Sequence, residues 1–455
     1  MLTKTEIAAT TLGPSRIARD TLVTTSLGVV GRSANLLIPF LVGGILGATG
    51  ETDSLFIALG ILVLFAGVFT WAIEAVMVPY VVKLRLAEPN RLPTFIGGVM
   101  LLMGAGMLTI ELVLLAVAKP LLLTLTGLSV ERVHTVCLLL VELSPALVLM
   151  MLSSVLSGVL NAYRIFWAPA ISTTVSVLTV ISTLLLGFEC FGVHAVALGY
   201  VGGELGRLLL LWIVLRRNDV GPFPFTLAER RLLREFINLS SFMIVGMAVA
   251  GLPPLINRVI ASHWAPGSVS VVEYAEKLFY VPQGLLNSGF LTVLLSYWSH
   301  GFETQGERQF RSAVYTTVLL LGAGILLASL LVYRFRYSLV ALILGWGKIS
   351  KASLMEVAAL YGVYLLGLVP NAVGLVLVRA HLVLKNTRVL FETAVVGVAV
   401  LLLFNAWLAP RFGLRGIALA VVASQTAYCI YLFERLRSSS GSSGPLRPMA
   451  MLGRD

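Results

Sequence analysis

The stretch that decides the fold is Ser54–Val82, SLFIALGILVLFAGVFTWAIEAVMVPYVV, in which Glu74 is the one charged residue. A bilayer core about 30 Å thick takes roughly 20 mainly apolar residues as a helix, so this stretch reads as a membrane span. Eleven further windows of the same kind lie around it: Leu22–Leu46, Phe95–Ala118, Val133–Leu160, Ala168–Leu186, Ala195–Leu215, Ile237–Ala261, Val272–Trp298, Ser312–Tyr333, Leu354–Val378, Leu390–Leu408 and Leu414–Phe433. A shorter apolar run, Leu339–Trp346, is expected to be re-entrant or interfacial. Of the 455 residues, 58% are hydrophobic and 12% charged, against about 25% charged in soluble chains. These charges cannot cover several soluble globules. That excludes a cytosolic enzyme, a nucleic-acid-binding protein and a disordered scaffold. The fold class is an all-α polytopic membrane protein of about twelve helices.

Basic residues orient the set. Of 33 lysines and arginines, 21 fall on the side of the N-terminus, 8 on the other, and 4 (Arg32, Arg207, Arg258 and Lys277) inside spans. This bias predicts that both termini are cytoplasmic, although the loop from Arg334 to Lys351 runs against it. Residues 1–20 read as a cytoplasmic lead-in without a cleavage site, and residues 438–455, rich in Ser and Gly, as a flexible cytoplasmic tail. The basic segment 217–236, with its Gly-Pro-Phe-Pro turn, lies at the midpoint and reads as a linker.

The two halves, 21–216 and 237–437, resemble each other. Ile45-Leu46-Gly47-Ala48 before Thr52-Asp53-Ser54 recurs as Ile260-Ala261-Ser262 before Glu273-Tyr274-Ala275. Asn161-Ala162-Tyr163 has its counterpart at Arg379-Ala380-His381, and Gly192-Val193-His194-Ala195 at Gly413-Leu414-Arg415-Gly416. Six spans per half give both halves one orientation, so two pseudo-symmetric lobes enclose a site near the midplane. That arrangement predicts a transporter more than a channel or an intramembrane enzyme.

Intramembrane charge costs about 2.5–3.5 kcal/mol on insertion scales and marks a candidate site. Arg32 is the deepest cation, suited to receive an anion or to pair with a carboxylate. Glu74 is its candidate partner, or an acid that takes up a coupling proton. Arg258 and Lys277, with Glu273 and Glu276, bracket the loop 262–270 and serve either a site or a snorkelling role. Asp53 reads as the N-cap of the second span, Glu204 and Arg207 as an ion pair three residues apart, and Glu111 and Glu142 as carboxylates without a nameable partner. The scattered Cys137, Cys190 and Cys429 make no disulfide framework. The five histidines lack metal-ligand spacing, and Gly345-Trp346-Gly347-Lys348 lacks the rest of a phosphate-binding loop. No cofactor is expected.

Several segments together resemble a known family. Leu46-Gly47-Ala48 with Thr52-Asp53-Ser54-Leu55-Phe56, Asn161 to Phe166 with Pro169, and Ile256-Asn257-Arg258 through Ala261-Ser262, Gly267-Ser268-Val269-Ser270 and Tyr274-Ala275-Glu276-Lys277-Leu278 are similar to segments of the MurJ/MviN lipid II flippases. The resemblance covers nearly all of the chain. It implies the multidrug/oligosaccharidyl-lipid/polysaccharide (MOP) exporter fold, in which two six-helix lobes flank a cationic cavity, as in MATE transporters. It further implies flipping of a polyprenyl-pyrophosphate-linked glycan across the bacterial inner membrane, with membrane lipids as surroundings and an ion gradient or the membrane potential as driver. Cell-wall or polysaccharide synthases are candidate partners. Arg32, Arg258 and Lys277 would contact the anion, and Glu74 and Glu276 would couple the ion.

Departures from the family pattern shift the expected substrate. Ile38 and Ala66 stand where the family has two further cavity arginines, the carboxylate expected near Thr70 is displaced to Glu74, and Lys277 replaces an arginine that could form a bidentate fork. Two C-terminal spans typical of the family are not in this sequence. These differences favour a glycan other than lipid II, with lipid II itself as the first alternative. A MATE-type cation exporter, or a scaffold without transport, are the others.

Overall fold

The computed structural model describes residues 35–438 except 228, 289 and 385, and among them there is helix and no strand. The first lobe holds α1 (Asn35–Leu46), α2 (Gly50–Ala87), α3 (Leu92–Leu125), α4 (Val130–Ala162), α5 (Trp167–Phe191) and α6 (His194–Arg217). The second holds α7 (Arg230–Ala261), α8 (Ser268–Ser288), α9 (Phe290–Gln305), α10 (Glu307–Leu344), α11 (Lys351–Tyr364), α12 (Leu368–Val383), α13 (Thr387–Phe412) and α14 (Leu414–Ser438). Among the described residues, ten helical segments are long and apolar enough to cross a membrane. The other two windows carry α1 and the pair α8–α9.

Local chemistry sets the helix ends. Thr49 and Thr52 form a reciprocal capping box at the start of α2, and Ser129 and Ser350 cap α4 and α11. The glycines that matched between the halves, Gly192 and Gly413, end α5 and α13 in nearly the same backbone conformation, φ 53° and ψ −128° against φ 59° and ψ −137°. Side chains strongly disfavour that region. Each glycine also donates its N–H to a carbonyl four residues back, Phe188 and Ala409, at 2.9 Å. The internal repeat is therefore visible in dihedral angles as well as in sequence.

Two readings of the sequence change here. Leu339–Trp346 is not a separate re-entrant helix: residues up to Leu344 are the last turns of α10, which stops at Gly345. Arg334 and Arg336 interrupt the hydropathy without breaking the helix, since no Gly or Pro lies between Tyr333 and Leu344. Their guanidinium groups rest against Phe335, Tyr333 and Tyr337, between 4.0 and 5.7 Å from the ring centroids. In addition, α7 already begins at Arg230, so the described non-helical connection is confined to 218–227 and 229.

That connection is packed. Val220 and Phe223 are buried, and the Phe223 ring meets Trp212 edge-on at 5.9 Å. The Pro224 carbonyl occupies the space that a side chain at Gly97 would need. Arg91, before α3, donates its Nε to Glu229 at 2.9 Å, and this guanidinium holds the Glu229 carboxyl below its usual range. Elsewhere leucines such as Leu186 (86% exposed) and Leu342 (78%) point outward, as a lipid-facing surface allows.

Gly192→Ala and Gly413→Ala should each destabilise the protein by about 1–3 kcal/mol. No atom lies within 4 Å of a Cβ at Gly192, so backbone strain alone is at work there. Thermal unfolding in detergent checks this; an unchanged midpoint for Gly192→Ala would remove the strain argument.

Candidate functional site between the lobes

The lobes meet mainly through α2 and α3 on one side and α7 and α8 on the other. At the end of the molecule where α2 begins, Asp53 is 2% exposed and spends its carboxylate on the opposite lobe. Oδ2 accepts from the Gly267 N–H at 2.6 Å, and Oδ1 accepts from the Ser270 N–H at 2.8 Å and the Ser270 hydroxyl at 2.7 Å. These amides belong to the N-terminus of α8, whose first N–H groups have no partner within their own helix. Asp53 is thus a cap, but of α8 and not of its own helix, where Thr49 already serves. Around it Thr52 Oγ1 meets Ser270 Oγ at 2.8 Å, Tyr274 donates to the Gly47 carbonyl at 2.9 Å, and Phe56 meets Tyr274 edge-on at 5.5 Å. Gly267 has φ 93°, and a side chain there would press on the Ala48 carbonyl. Two more ties close this end: Lys348 N–H to the Gly44 carbonyl at 2.7 Å, and Gly127 N–H to Ser262 Oγ at 3.0 Å.

Beneath this contact lies a cavity of about 390 Å³, walled by Gly60, Leu64 and Gly67 of α2, Gly251 and Arg258 of α7, and Glu276, Lys277 and Tyr280 of α8. Its charges are organised by Glu273, which is buried. Arg258 reaches Glu273 Oε2 through Nε at 2.7 Å and Nη2 at 2.6 Å, and Lys277 Nζ lies 3.4 Å from Oε1. Removing either buried partner would strand a charge, which costs about 3–5 kcal/mol. The third guanidinium nitrogen, Nη1, points across the cavity at Gly60, where a Cβ would collide with it. Lys277 keeps 30% of its side chain exposed while Arg258 keeps 6%. Asn257 donates to Glu276 Oε1 at 3.3 Å.

The structure brings Arg258, Lys277 and Glu276 into this one cavity. Arg258 does not snorkel; it is held between Glu273 and α2. Glu74 sits elsewhere: it accepts from Asn161 Nδ2 at 2.7 Å, seven residues beyond Gly67 and thus about 10 Å further along α2. Arg32 lies outside the described residues. Glu204 does pair with Arg207, at 3.4 Å, and also accepts from Ser176 at 2.8 Å. Glu142, expected to stand alone, meets His194 Nδ1 at 2.8 Å. Sequence reasoning missed the role of Asp53 and the central place of Glu273. The repeat held the signal, because it aligned the starts of α2 and α8, and those two starts touch.

The family model for the lipid II flippase MurJ matches residues 42–451. The chain belongs to this family. A Thermotoga maritima protein named for lipid II flippase MurJ is 26% identical over 315 residues, 68% of this chain and 62% of that relative. The chain therefore spans less than two thirds of that relative's length. Among solved structures, lipid II flippase MurJ in an inward closed conformation superposes with a TM-score of 0.78 at 19% identity, covering 92% of this chain and 87% of that one. An inward-facing MATE multidrug transporter of the MOP superfamily superposes with a TM-score of 0.73 at 14% identity, covering 93% and 100%. At these identities the structural likeness speaks for the fold alone: a multi-pass, two-lobed MOP architecture.

Within a MurJ-family chain, the two positions that lack family arginines can now be placed. Ile38 is 2% exposed, and neither Ile38 nor Ala66 lines the cavity. Their character therefore says little about charge in this cavity.

Asp53→Asn should loosen the Asp53 end. The amide offers one acceptor oxygen and sets its own N–H groups against amide donors, and bonds to a charged group are worth about 1.5–3 kcal/mol each. Spin labels at the exposed positions Glu51 and His263 report the gap between lobes. The expected result is a longer and broader distance distribution; an unchanged distribution would show that Asp53 does not hold this end.

Proposed function

We propose that this protein moves a polyprenyl-pyrophosphate-linked cell-wall precursor, lipid II, across the bacterial inner membrane by alternating access, with both termini cytoplasmic. The observation that carries the reading is the inter-lobe cavity with Arg258 and Lys277 around Glu273, in a chain of the MurJ family. A pyrophosphate is a compact anion, and a largely buried guanidinium offers it charge-assisted bonds. Arg258 is fixed by Glu273 through two of its nitrogens and keeps Nη1 for a ligand. Lys277, more exposed and more loosely paired, is free to turn toward the anion. The polyprenyl tail stays in lipid while the headgroup crosses between the lobes.

Arg32 completes the proposed set of cations, and Glu74 and Glu276 are the proposed coupling carboxylates. The driver is an ion gradient or the membrane potential. Synthases that consume the delivered precursor are the proposed partners. A second reading, another lipid-linked oligosaccharide, rests on Lys277, whose ammonium cannot form the bidentate fork of an arginine.

Lys277→Arg should retain export and Lys277→Gln should lower it several-fold, with membrane levels equal. Equal export by both variants would remove Lys277 from the site. In cells depleted of the protein, mass spectrometry of polyprenyl-linked intermediates should show build-up of the disaccharide-pentapeptide carrier. A different sugar on the carrier would favour the second reading, and no build-up would overturn both.

A further inference from the structure

One buried acid has no role in the cavity. Glu111, in the middle of α3, is 3% exposed, and its Oε1 has no hydrogen-bond partner. The backbone of Val148 lies near the carboxyl. It borders a void of about 10 Å³ between α2, α3 and α4, roughly the room of one water molecule. The walls contributed by Ile61 and Leu62 of α2, Leu143 and Leu147 of α4 and the leucines beside Glu111 are apolar, and Ser144 is the one other polar side chain. Among the described residues, no second titratable or charged side chain lines this void. Glu142, on α4, points away and meets His194.

An ionised carboxylate in such a place would carry a desolvation cost that no partner offsets. A metal cation would need several oxygen ligands, and one serine does not supply them. A proton needs a single oxygen. We infer that Glu111 is a proton-binding site of the first lobe, and that gaining and losing this proton biases which end of the cavity is open. The carboxylate takes a proton from water on one side and returns it to water on the other, with no other bond made or broken.

Two features connect the site to movement. The first is α2, which presents Gly60, Val63 and Leu64 to the central cavity and Ile61 and Leu62 to the Glu111 void. The same turn of one helix is therefore the wall of both. The second is α4, where Pro145 withdraws the N–H that the Val141 carbonyl would otherwise receive. Ser144 donates to that carbonyl at 2.9 Å instead. The void thus lies beside a weakened turn, where repacking is cheap. Deprotonation of Glu111 calls for water in the void and so for separation of α2 from α4. The protonated acid fits the tight packing described here, with the Asp53 end closed.

The inference deepens the transport reading and rests on it, and its conformational readout needs no lipid substrate. The full-length protein is reconstituted in liposomes with spin labels at positions 51 and 263, and the distance between them is followed with pH. Wild type should move toward the short distance as pH falls. Glu111→Gln, the shape of the protonated acid without its proton, should hold the short distance at every pH, and Glu111→Asp should regain a response. Infrared difference spectra between acid and alkaline buffer should contain a protonated-carboxyl band that Glu111→Gln lacks. A wild-type pH response in Glu111→Gln, or a carboxyl band unchanged by it, would overturn the inference. A response lost in Glu111→Gln by a protein that moves no lipid II in the same liposomes would keep the proton site and sink the flippase reading.

Discussion

The structure depends on one carboxylate that is shut off from solvent. A buried charge has to be satisfied inside the protein, and the hydrogen bonds to Asp53 Oδ1 and Oδ2 come from the opposite lobe. Its three acceptor bonds go to the first turn of α8, where unpaired N–H groups and the positive end of the helix dipole favour a negative charge. Each side solves the other's problem: α8 gains a cap and Asp53 gains donors. The two helix starts meet as equivalents in the internal repeat, so the contact lies where the two halves face each other. Everything else at that end, from the hydroxyl of Tyr274 on Gly47 to the glycines that let Ala48 and Gly267 approach, follows from bringing those two helix starts together.

The same constraint shapes the cavity below. Two cations in a membrane interior would be costly alone, and Glu273 offsets both by using each of its oxygens. The arrangement keeps Arg258 immobile and Lys277 adjustable. That division suits a site that binds an anion and then has to release it: a fixed donor sets position, and a mobile one sets how firmly the anion is held. Gly60 matters for the same reason. A side chain there would occupy the space of Nη1, so the smallest residue on α2 is what lets a second-lobe arginine reach the first lobe.

Much of this fold was legible in the sequence because membrane helices are specified locally. Windows of hydropathy located the ten long apolar helices, and caps such as Thr49, Ser129 and Ser350 and the terminators Gly192 and Gly413 lie within a few residues of the ends they set. The family resemblance was legible for a similar reason, since it rested on short motifs in order. What the sequence withheld was long-range pairing. Asp53 read as the cap of its own helix because the nearest amides in sequence were the only ones in view; its donors lie 214 and 217 residues away. Glu142 read as solitary because His194 is 52 residues on. The apolar run after Tyr333 read as a separate element because arginines lower a hydropathy average without lowering helix propensity. Ile38 and Ala66 carried weight as missing charges until the packing put them outside the cavity.

These observations converge on α2. Over its 38 residues it supplies the cap for α8, the glycine stripe of the cavity, the apolar wall of the Glu111 void and, through Glu74, a bond to Asn161 near the far end of α4. From Asp53 to Glu74, ahead of Pro79, the helix is uninterrupted and each turn is tied to the next by backbone hydrogen bonds. A shift of α2 against α4 at Glu111 therefore cannot stay local. It moves Gly60 relative to Arg258 and Asp53 relative to Ser270 together. The fold thus places the proposed proton site, the proposed anion site and the interlobe contact on one helix, and coupling among them requires no relay of side chains, only that this helix has two positions.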